Sequence, residues 1–269
     1  MKKIIQIINR DTEKYFYKNY YGVVNDNIDF KTFVNEQLNF RGAKDKNQFL
    51  WFSKFIKLKK ENTILDFGCD FGNLVILLWK KGYKVDGNEI NQDIYQVLKL
   101  REKISKFKKG SFIYSNNGSV IAKKNSYDII LSYFVLVHVS EIEAYIKKSI
   151  RVLKPEGKFI FTTSNYRVGF EYYYACWLPL FSRNLSKFIL GIKKKNTLFI
   201  DGLNFITPEK VESVLKEMKL TNSINVTNLG SKFFLREIFN NKIHPSVFIR
   251  YAKLFDKLHL IPLMVKLNF

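Results

Sequence analysis

The sequence has few of the residues that mark several common protein classes. Its 269 residues include 2 Cys, 3 His, 5 Pro and 13 Gly. Two cysteines, Cys69 and Cys176, are too few for a disulfide framework or a four-thiolate zinc site, so we expect a reducing compartment and no metal centre. Little Pro and Gly beside 46% hydrophobic residues excludes collagen-like and disordered chains.

Long apolar runs are also absent. The best candidate for a membrane span, residues 172–192, is interrupted by Pro179, Arg183, Asn184 and Lys187, whereas a span needs about 20 apolar residues. The apolar block that follows Met1 is shorter than a signal-peptide core. We therefore expect a cytoplasmic protein, either soluble or peripheral to a membrane.

Acidic residues are outnumbered, and the excess of positive charge is spread along the chain. There are 45 Lys and Arg against 24 Asp and Glu, a net charge of +21. Basic and acidic residues number 13 and 7 over 1–61, 16 and 10 over 62–163, and 16 and 7 over 164–269. This spread, with lysine far above arginine and abundant asparagine, favours a coding bias as its origin. An anionic membrane surface and nucleic acid remain alternatives.

Short apolar runs alternate with amphipathic segments from Asn62 onward, which predicts an α/β fold with a doubly wound parallel sheet. Four regions follow: an N-terminal helical extension (1–61), a core (62–165), an inserted helical cap rich in aromatic and basic residues (166–206), and a C-terminal part of the same fold with a helical insertion (207–269). The strands are predicted at 63–67, 83–88, 112–114, 127–133, 158–163, 220–226 and 263–269, and the core helices at 73–81, 92–107 and 141–152. Thr207 and Pro208 predict a further helix that ends near Met218.

Two motifs in this core carry chemistry. Asp66 ends the first strand, and Gly68 and Gly72 follow in a turn that leads into a helix, so the backbone there can approach a ligand closely. Asp70 in this turn would repel a pyrophosphate, which favours a ligand without phosphates. Glu89 ends the second strand, where a carboxylate can accept both hydroxyls of a ribose; alone it could equally be a solvated turn acid.

These residues resemble a class I S-adenosylmethionine-dependent methyltransferase over about residues 60–165. Asp66, Gly68 and Gly72 match the family's first motif, and Glu89 matches its ribose acid. The segments 127–139 and 151–158 are similar to the fourth strand and to the turn before the fifth. The resemblance implies a Rossmann-like seven-stranded sheet, bound S-adenosylmethionine and these cofactor-binding residues: Asp66, Gly68, Cys69, Asp70, Gly72, Glu89, Asn116, Asn117 and Ser132.

The sequence departs from the family's pattern at two places. Asp70 stands where a glycine is usual, so its side chain must point away from the cofactor or reach the cofactor's ammonium group, or else it weakens binding. Asn116 and Asn117 stand where the family places an acid near the adenine amino group. Either amide could replace that acid.

The acceptor and the reacting base are less well defined by sequence. His138, just past the fourth strand, is our candidate catalytic base, with capping or packing of the following helix as the alternative. The aromatic and basic segment 172–195 could stack sugar rings, lie at a lipid interface, or simply pack on the N-terminal helices.

We therefore expect a methyltransferase for a small-molecule, saccharide or lipid-linked acceptor, with O-methylation favoured and peripheral contact with an anionic membrane. The alternatives are a nucleic-acid methyltransferase and an inactive binding protein with the same fold. The sequence leaves the oligomeric state open.

Overall fold

The computed structural model describes residues 48–50, 52–53, 55–115, 122–166, 170–171, 174, 176–179, 182–195, 197–220, 224–225 and 263–268. The chain divides into two compact units. The first comprises Met1–Tyr133, Ala144–Ile160 and Asn268–Phe269, and the second comprises Phe134–Glu143 and Phe161–Leu267. Most of the predicted N-terminal extension and the predicted C-terminal helical insertion lie outside the described residues.

A parallel sheet of five strands organises the first unit. In spatial order its strands are β3 (Phe112–Tyr114), β2 (Lys84–Glu89), β1 (Thr63–Phe67), β4 (Tyr127–Tyr133) and β5 (Leu153–Thr163). Asp66 is in register with Gly87 on β2 and with Leu131 on β4. The predicted doubly wound parallel sheet is thereby confirmed for five strands, and the total of seven stays a prediction.

Three helices connect these strands: α1 (Asn73–Lys80), α2 (Gln92–Ile104) and α3 (Ile142–Val152). The Asn91 side chain caps α2 by accepting a hydrogen bond from the Ile94 N–H at 2.9 Å. α3 begins shortly after His138 in sequence. One of its faces is buried, and the residues on that face recur at helical spacing: Ile142, Tyr145, Ile146 and Ser149.

The core of the first unit consists of apolar side chains on both faces of the sheet, as a parallel sheet covered by helices requires. Wholly buried members include Ile64, Leu65, Val75, Leu78, Val85, Leu98, Ile130, Phe159 and Ile160. Phe52, from the end of the N-terminal extension, is also buried and lies edge-on to Tyr133 with ring centroids 6.3 Å apart. Residues 48–50, 52–53 and 55 are helical, in agreement with the spacing of their aromatic residues.

The start of β5 differs from the prediction. Extended backbone begins at Leu153 rather than Lys158 and continues through the Pro-Gly segment. Glu156 there has a φ of 61°, so the chain makes its predicted bend inside the strand. A Cβ on Gly157 would lie 2.6 Å from Leu153 Cγ, and this close approach lets the bend fold against the strand's first residue.

The second unit contains a two-stranded hairpin that the periodicity did not indicate. β6 (Phe170–Glu171) pairs antiparallel with β7 (Cys176–Trp177) inside the predicted cap. α4 (Arg183–Ile192) and a 3₁₀ turn (Leu198–Gly202) follow. The cap is therefore not purely helical, because the buried Glu171 on β6 accepts the Tyr174 N–H at 3.0 Å and so holds the hairpin.

The last elements follow the predictions closely. Thr207 caps α5 (Pro208–Glu217) by accepting the Lys210 N–H at 3.4 Å, and Met218 is the C-terminal cap. β8 (Ile224–Asn225) pairs antiparallel with β9 (Leu263–Asn268). β8 is shorter, within the described residues, than the predicted strand at 220–226. In the described part of the chain no helix is long and apolar enough to span a membrane.

We expect Gly72→Ala to destabilise the protein by about 2 to 4 kcal/mol, because it combines backbone strain with overpacking. Gly72 has a φ of 69°, and a Cβ there would lie 2.5 Å from Phe112 Cζ and 2.8 Å from Leu98 Cδ2. Both neighbours are buried and held in the core. Urea unfolding followed by circular dichroism measures the change.

The matched control is Gly191→Ala in α4. A Cβ at Gly191 meets nothing within 4 Å among the described residues. This variant should be as stable as the parent or more stable by up to about 1 kcal/mol, because alanine is the better helix former. Equal effects of the two substitutions would contradict the tight packing at Gly72.

Candidate functional site

The loop between β1 and α1 is held against the end of β2 by backbone hydrogen bonds. The N–H groups of Gly68 and Cys69 both donate to the Asn88 carbonyl oxygen, at 3.0 and 2.9 Å. The Gly72 N–H then donates to the Cys69 carbonyl at 2.8 Å and closes a tight turn. Asp70 is inside this turn with a φ of 48°, a conformation that glycine, asparagine and aspartate tolerate best. The shape of the loop is therefore determined by its own backbone hydrogen bonds.

Cys69 contributes packing to this loop rather than a reactive thiol. Its side chain is buried, and a Cβ on Gly87 would lie 2.8 Å from its Sγ. Burial raises the pKa of the thiol well above its usual value, and the charges of Asp66, Glu89 and Asp70 raise it further. A neutral thiol in contact with β2 is a poor nucleophile, so only the Cys69 backbone is available to a ligand.

Glu89 joins this loop to the turn that follows β2. Its Oε2 accepts the Asp70 N–H at 3.0 Å, and its Oε1 accepts the N–H groups of Ile90 and Asn91 at 2.9 and 2.8 Å. The residue is only 7% exposed. Burial raises the pKa of the carboxyl to about 7, and the nearby charge of Asp70 adds to the rise, whereas the three N–H donors oppose it.

The free acceptor capacity of Glu89 fits a ribose. A carboxylate has about four acceptor positions, and backbone groups occupy two on Oε1 and one on Oε2. One acceptor position on Oε2 therefore remains for a ribose hydroxyl. A second ribose hydroxyl must share an oxygen position with one of the backbone N–H groups. The glycine turn, which lets backbone approach a ligand without side chains in between, lies beside this oxygen. These residues fit a nucleoside cofactor.

Asp70 has an exposed side chain, while its own N–H binds Glu89. The departure from glycine is thus compatible with the turn, because the left-handed backbone that the turn needs is one that aspartate can adopt. Its cost is electrostatic: the Asp70 charge makes it harder for Glu89 to ionise.

Ser132, predicted to contact the cofactor, is buried at the end of β4 and accepts a hydrogen bond of 2.5 Å from the Tyr145 hydroxyl. Tyr145 lies on α3 and stacks on Phe67, with ring centroids 4.9 Å apart. Burial raises the pKa of Tyr145, and Asp66 raises it further. The phenol stays protonated and fixes Ser132 near Asp66. Sequence reasoning missed Tyr145, because it resembles any other apolar position on the buried face of α3.

Asn116 and Asn117 lie outside the described residues, so their predicted contact with adenine stays a prediction. The chain enters this segment next to Glu89, because the buried Ser115 donates its N–H to the Glu89 carbonyl at 3.0 Å. The structure thus brings together Asp66, Gly68, Cys69, Asp70, Gly72, Glu89 and Ser132 at the carboxyl edge of β1, β2 and β4.

His138 belongs to the second unit, where it ends a 3₁₀ turn (Leu136–His138). Asn204 holds this turn from both sides: its N–H donates to the Val137 carbonyl at 2.6 Å and its Nδ2 donates to the Val139 carbonyl at 2.7 Å. The imidazole lies edge-on to the Phe199 ring, with centroids 5.7 Å apart.

The His138 side chain is exposed by its accessible surface, yet enough protein surrounds the ring that burial lowers its pKa to about 4. The direction of this shift, toward the neutral imidazole, is what matters for chemistry near pH 7. In the described ranges, no three His, Cys, Asp or Glu side chains are grouped so that they could hold a metal ion.

The family of the chain follows from comparison with known proteins. The model of a family described as Methyltransferase domain matches residues 36–222. The chain belongs to this methyltransferase family. S-adenosylmethionine is its cofactor, and the protein is an S-adenosylmethionine-dependent methyltransferase. The cofactor residues predicted from the resemblance, including Glu89 and the glycine turn, lie within the matched range.

Two curated relatives of this methyltransferase are ubiquinone biosynthesis O-methyltransferases. That of Pelagibacter ubique is 29% identical over 198 residues, which cover 68% of this chain and 76% of the relative. That of Hydrogenovibrio crunogenus is 25% identical over 169 residues, which cover 63% of this chain and 66% of the relative. The matches thus span about two thirds to three quarters of the length of these relatives.

A solved structure shares the fold. Geranyl diphosphate C-methyltransferase from Streptomyces coelicolor, solved with Mg²⁺, geranyl diphosphate and S-adenosyl-L-homocysteine, superposes on this methyltransferase with a TM-score of 0.56. The match covers 99% of this chain and 97% of that chain at 12% identity. At this identity the likeness shows the fold alone.

We expect Glu89→Gln to weaken S-adenosylmethionine binding about 10- to 100-fold at pH 8, because it removes a charge-assisted acceptor. In the parent, affinity should rise from pH 6 to pH 8, since the carboxyl has its pKa raised to about 7 and ionises over this interval. Calorimetry at several pH values measures both effects. Glu61→Gln, at an exposed carboxylate, is the control, and an unchanged pH dependence in Glu89→Gln would contradict the assignment.

We expect Asp70→Asn to shift that pH dependence toward lower pH. Asparagine tolerates the left-handed turn, and loss of the Asp70 charge removes one cause of the raised Glu89 pKa. Affinity at pH 6.5 should therefore increase. Should affinity fall at every pH instead, the Asp70 carboxylate contacts the cofactor's ammonium group and the electrostatic interpretation is wrong.

Proposed function

We propose that this methyltransferase methylates a hydroxyl group on the aromatic ring of a small, quinone-like acceptor. The observation that carries the proposal is the position of His138: its exposed imidazole lies edge-on to the Phe199 ring, on a turn that Asn204 holds by two hydrogen bonds. The names of the two O-methyltransferase relatives support the same chemistry. Saccharide and other lipid-linked hydroxyls are the remaining acceptors in this class.

The proposed role of the β1–α1 turn and Glu89 is to hold the cofactor and fix its orientation. Glu89 anchors a ribose hydroxyl, and the fixed turn around Gly72 positions backbone beside it. When bound, S-adenosylmethionine supplies an electrophilic methyl group. The buried Ser132–Tyr145 pair at the same edge carries no charge.

The proposed role of His138 is to orient the acceptor hydroxyl and take its proton. Once the hydroxyl oxygen has bonded to the transferred methyl carbon, its remaining proton is strongly acidic. Even an imidazole of lowered pKa can therefore take that proton late in the step. Because burial favours the neutral form, the imidazole is uncharged throughout the physiological pH range.

Asn204 supports this role by holding the backbone on both sides of His138. Its own Oδ1 accepts Lys210 Nζ at 3.0 Å, which connects the turn to α5. Asn204 is thus a positioning residue in the proposal, acting on the turn rather than on the acceptor.

The test of the acceptor class is a methyl-transfer assay with a dihydroxybenzoate ester, a reduced quinone and a free hexose. Mass spectrometry reports the added methyl group, and nuclear magnetic resonance of the product reports the atom that carries it. We expect O-methylation of the aromatic acceptors. Transfer to the hexose alone, or to ring carbon, would refute the proposal.

We expect His138→Ala to lower kcat about 100-fold or more while S-adenosylmethionine affinity stays unchanged. The parent's kcat should show no titration near pH 6.5, the ordinary pKa of histidine, because the His138 pKa is lowered to about 4. Added imidazole should partly restore the activity of His138→Ala. A purely structural role predicts no such rescue, together with a loss of thermal stability.

A further inference from the structure

Helix α4 carries apolar side chains on two opposite faces. Leu190 and Ser186 are fully buried and attach the helix to the second unit. Leu185, Phe188 and Ile192 are 42%, 65% and 67% exposed. At about 100° per residue, these three lie within an arc of about 60° that points away from the buried face. A surface helix ordinarily presents polar residues there, so the stripe needs a partner.

Three lysines stand directly beyond this stripe. Lys193, Lys194 and Lys195 follow Ile192, and their N–H groups bond to the Ile189, Gly191 and Leu190 carbonyls at 2.9 to 3.0 Å. The backbone of the cluster is thus fixed to the end of α4. Within the described residues, none of the three ammonium groups forms an ion pair, and Lys193 and Lys194 are exposed.

The two cations within α4 itself are already engaged within the second unit. Lys187 pairs with Asp201 at 2.6 Å. Arg183 donates to the Leu203 carbonyl at 2.7 Å and lies 5.2 Å from the centroid of the Phe205 ring. The positive charge next to this helix that remains unpaired among the described residues is therefore that of Lys193, Lys194 and Lys195.

The hairpin strand β7 lies near the same cluster. Burial raises the pKa of the Cys176 thiol, and the charges of Lys193 and Lys195 oppose that rise, which requires them to be close. The next residue, Trp177, is 58% exposed. Exposed tryptophan is typical of a membrane–water interface.

We propose that α4 lies on an anionic lipid surface, with Leu185, Phe188 and Ile192 inserted below the headgroups and Lys193 to Lys195 among them. Long lysine stems allow the ammonium groups to stay at headgroup level while the apolar stripe enters the hydrocarbon boundary. Each lysine near such a surface adds to the attraction, and the apolar side chains add the hydrophobic part.

Charge decides in favour of a lipid surface over a second copy of the chain. A pairing of two stripes would bring together two chains that each carry a net charge of +21, and like charges oppose that contact. An anionic membrane has the complementary charge and an apolar interior. The inference does not depend on the identity of the methyl acceptor.

The experiment is vesicle flotation of the full chain with phosphatidylcholine vesicles and with vesicles that contain equal parts phosphatidylglycerol. We expect at least tenfold stronger binding to the anionic vesicles, weakening as salt increases. Phe188→Gln should reduce binding about tenfold. Phe107→Gln is the matched control, because Phe107 is similarly exposed at 52% but lies in the first unit.

A second arm replaces Lys193, Lys194 and Lys195 with glutamate and compares the result with the triple variant Lys103→Glu, Lys123→Glu, Lys124→Glu. Both triples change the net charge equally at residues exposed or largely exposed. Only the first should abolish the preference for anionic vesicles. Equal losses in both would show that overall charge, not α4, drives binding and would overturn the proposal.

Two further outcomes would also overturn it. If the parent binds neither kind of vesicle, the stripe does not dock on lipid. If light scattering shows a dimer that Phe188→Gln dissociates, the occupant is a second copy. Calorimetric binding of S-adenosylmethionine should be equal in all variants, so failure of lipid binding is distinguishable from failure of the cofactor site.

Discussion

The carboxylate of Glu89 is the interaction on which the cofactor edge depends. Its two oxygens accept backbone N–H groups from both the β1–α1 turn and the β2–α2 turn. No other acceptor type could do this in so little space, since only a carboxylate offers two oxygens with about four acceptor positions. The same bonds that position the loop also leave one position for the ligand. The backbone N–H groups of the two turns and the ligand thus compete for the acceptor positions of the Glu89 carboxylate.

That arrangement requires β1 and β2 to approach closely, and small residues make the approach possible. A Cβ at Gly87 would lie 2.7 Å from Phe112 Cδ1 and 2.8 Å from Cys69 Sγ. Phe112 in turn fills the space left beside Gly72. One ring from β3 therefore packs against both glycines, and the position of the loop is set by the core as much as by its own turn conformation.

The bounds of several strands and of α5 could be predicted because the sequence signals for them are local. Strand ends, the glycine spacing and the Thr207 cap depend on neighbouring residues, and β1, β3 and β4 begin and end where predicted. What failed depends on contacts distant in sequence. Tyr145 gains its role only because β4 places Ser132 beside it. The hairpin of β6 and β7 is held by the buried Glu171, which accepts the Tyr166 hydroxyl at 3.2 Å and the Tyr174 N–H at 3.0 Å, contacts that no periodicity reveals.

The net charge of +21 says little about partners by itself. The structure is needed to show which cations are paired within the protein and which are not. Several cations are already used inside their own unit: Arg101 donates to the Phe71 carbonyl at the start of α1, Lys154 pairs with Asp128, and Lys99 and Lys108 both pair with Glu102. Cations that are paired in this way have little attraction left for a distant anion. The cluster after α4 differs because it adjoins an exposed apolar stripe and has no described carboxylate paired with it. Positive charge becomes informative about a partner only where it lies beside an exposed apolar surface.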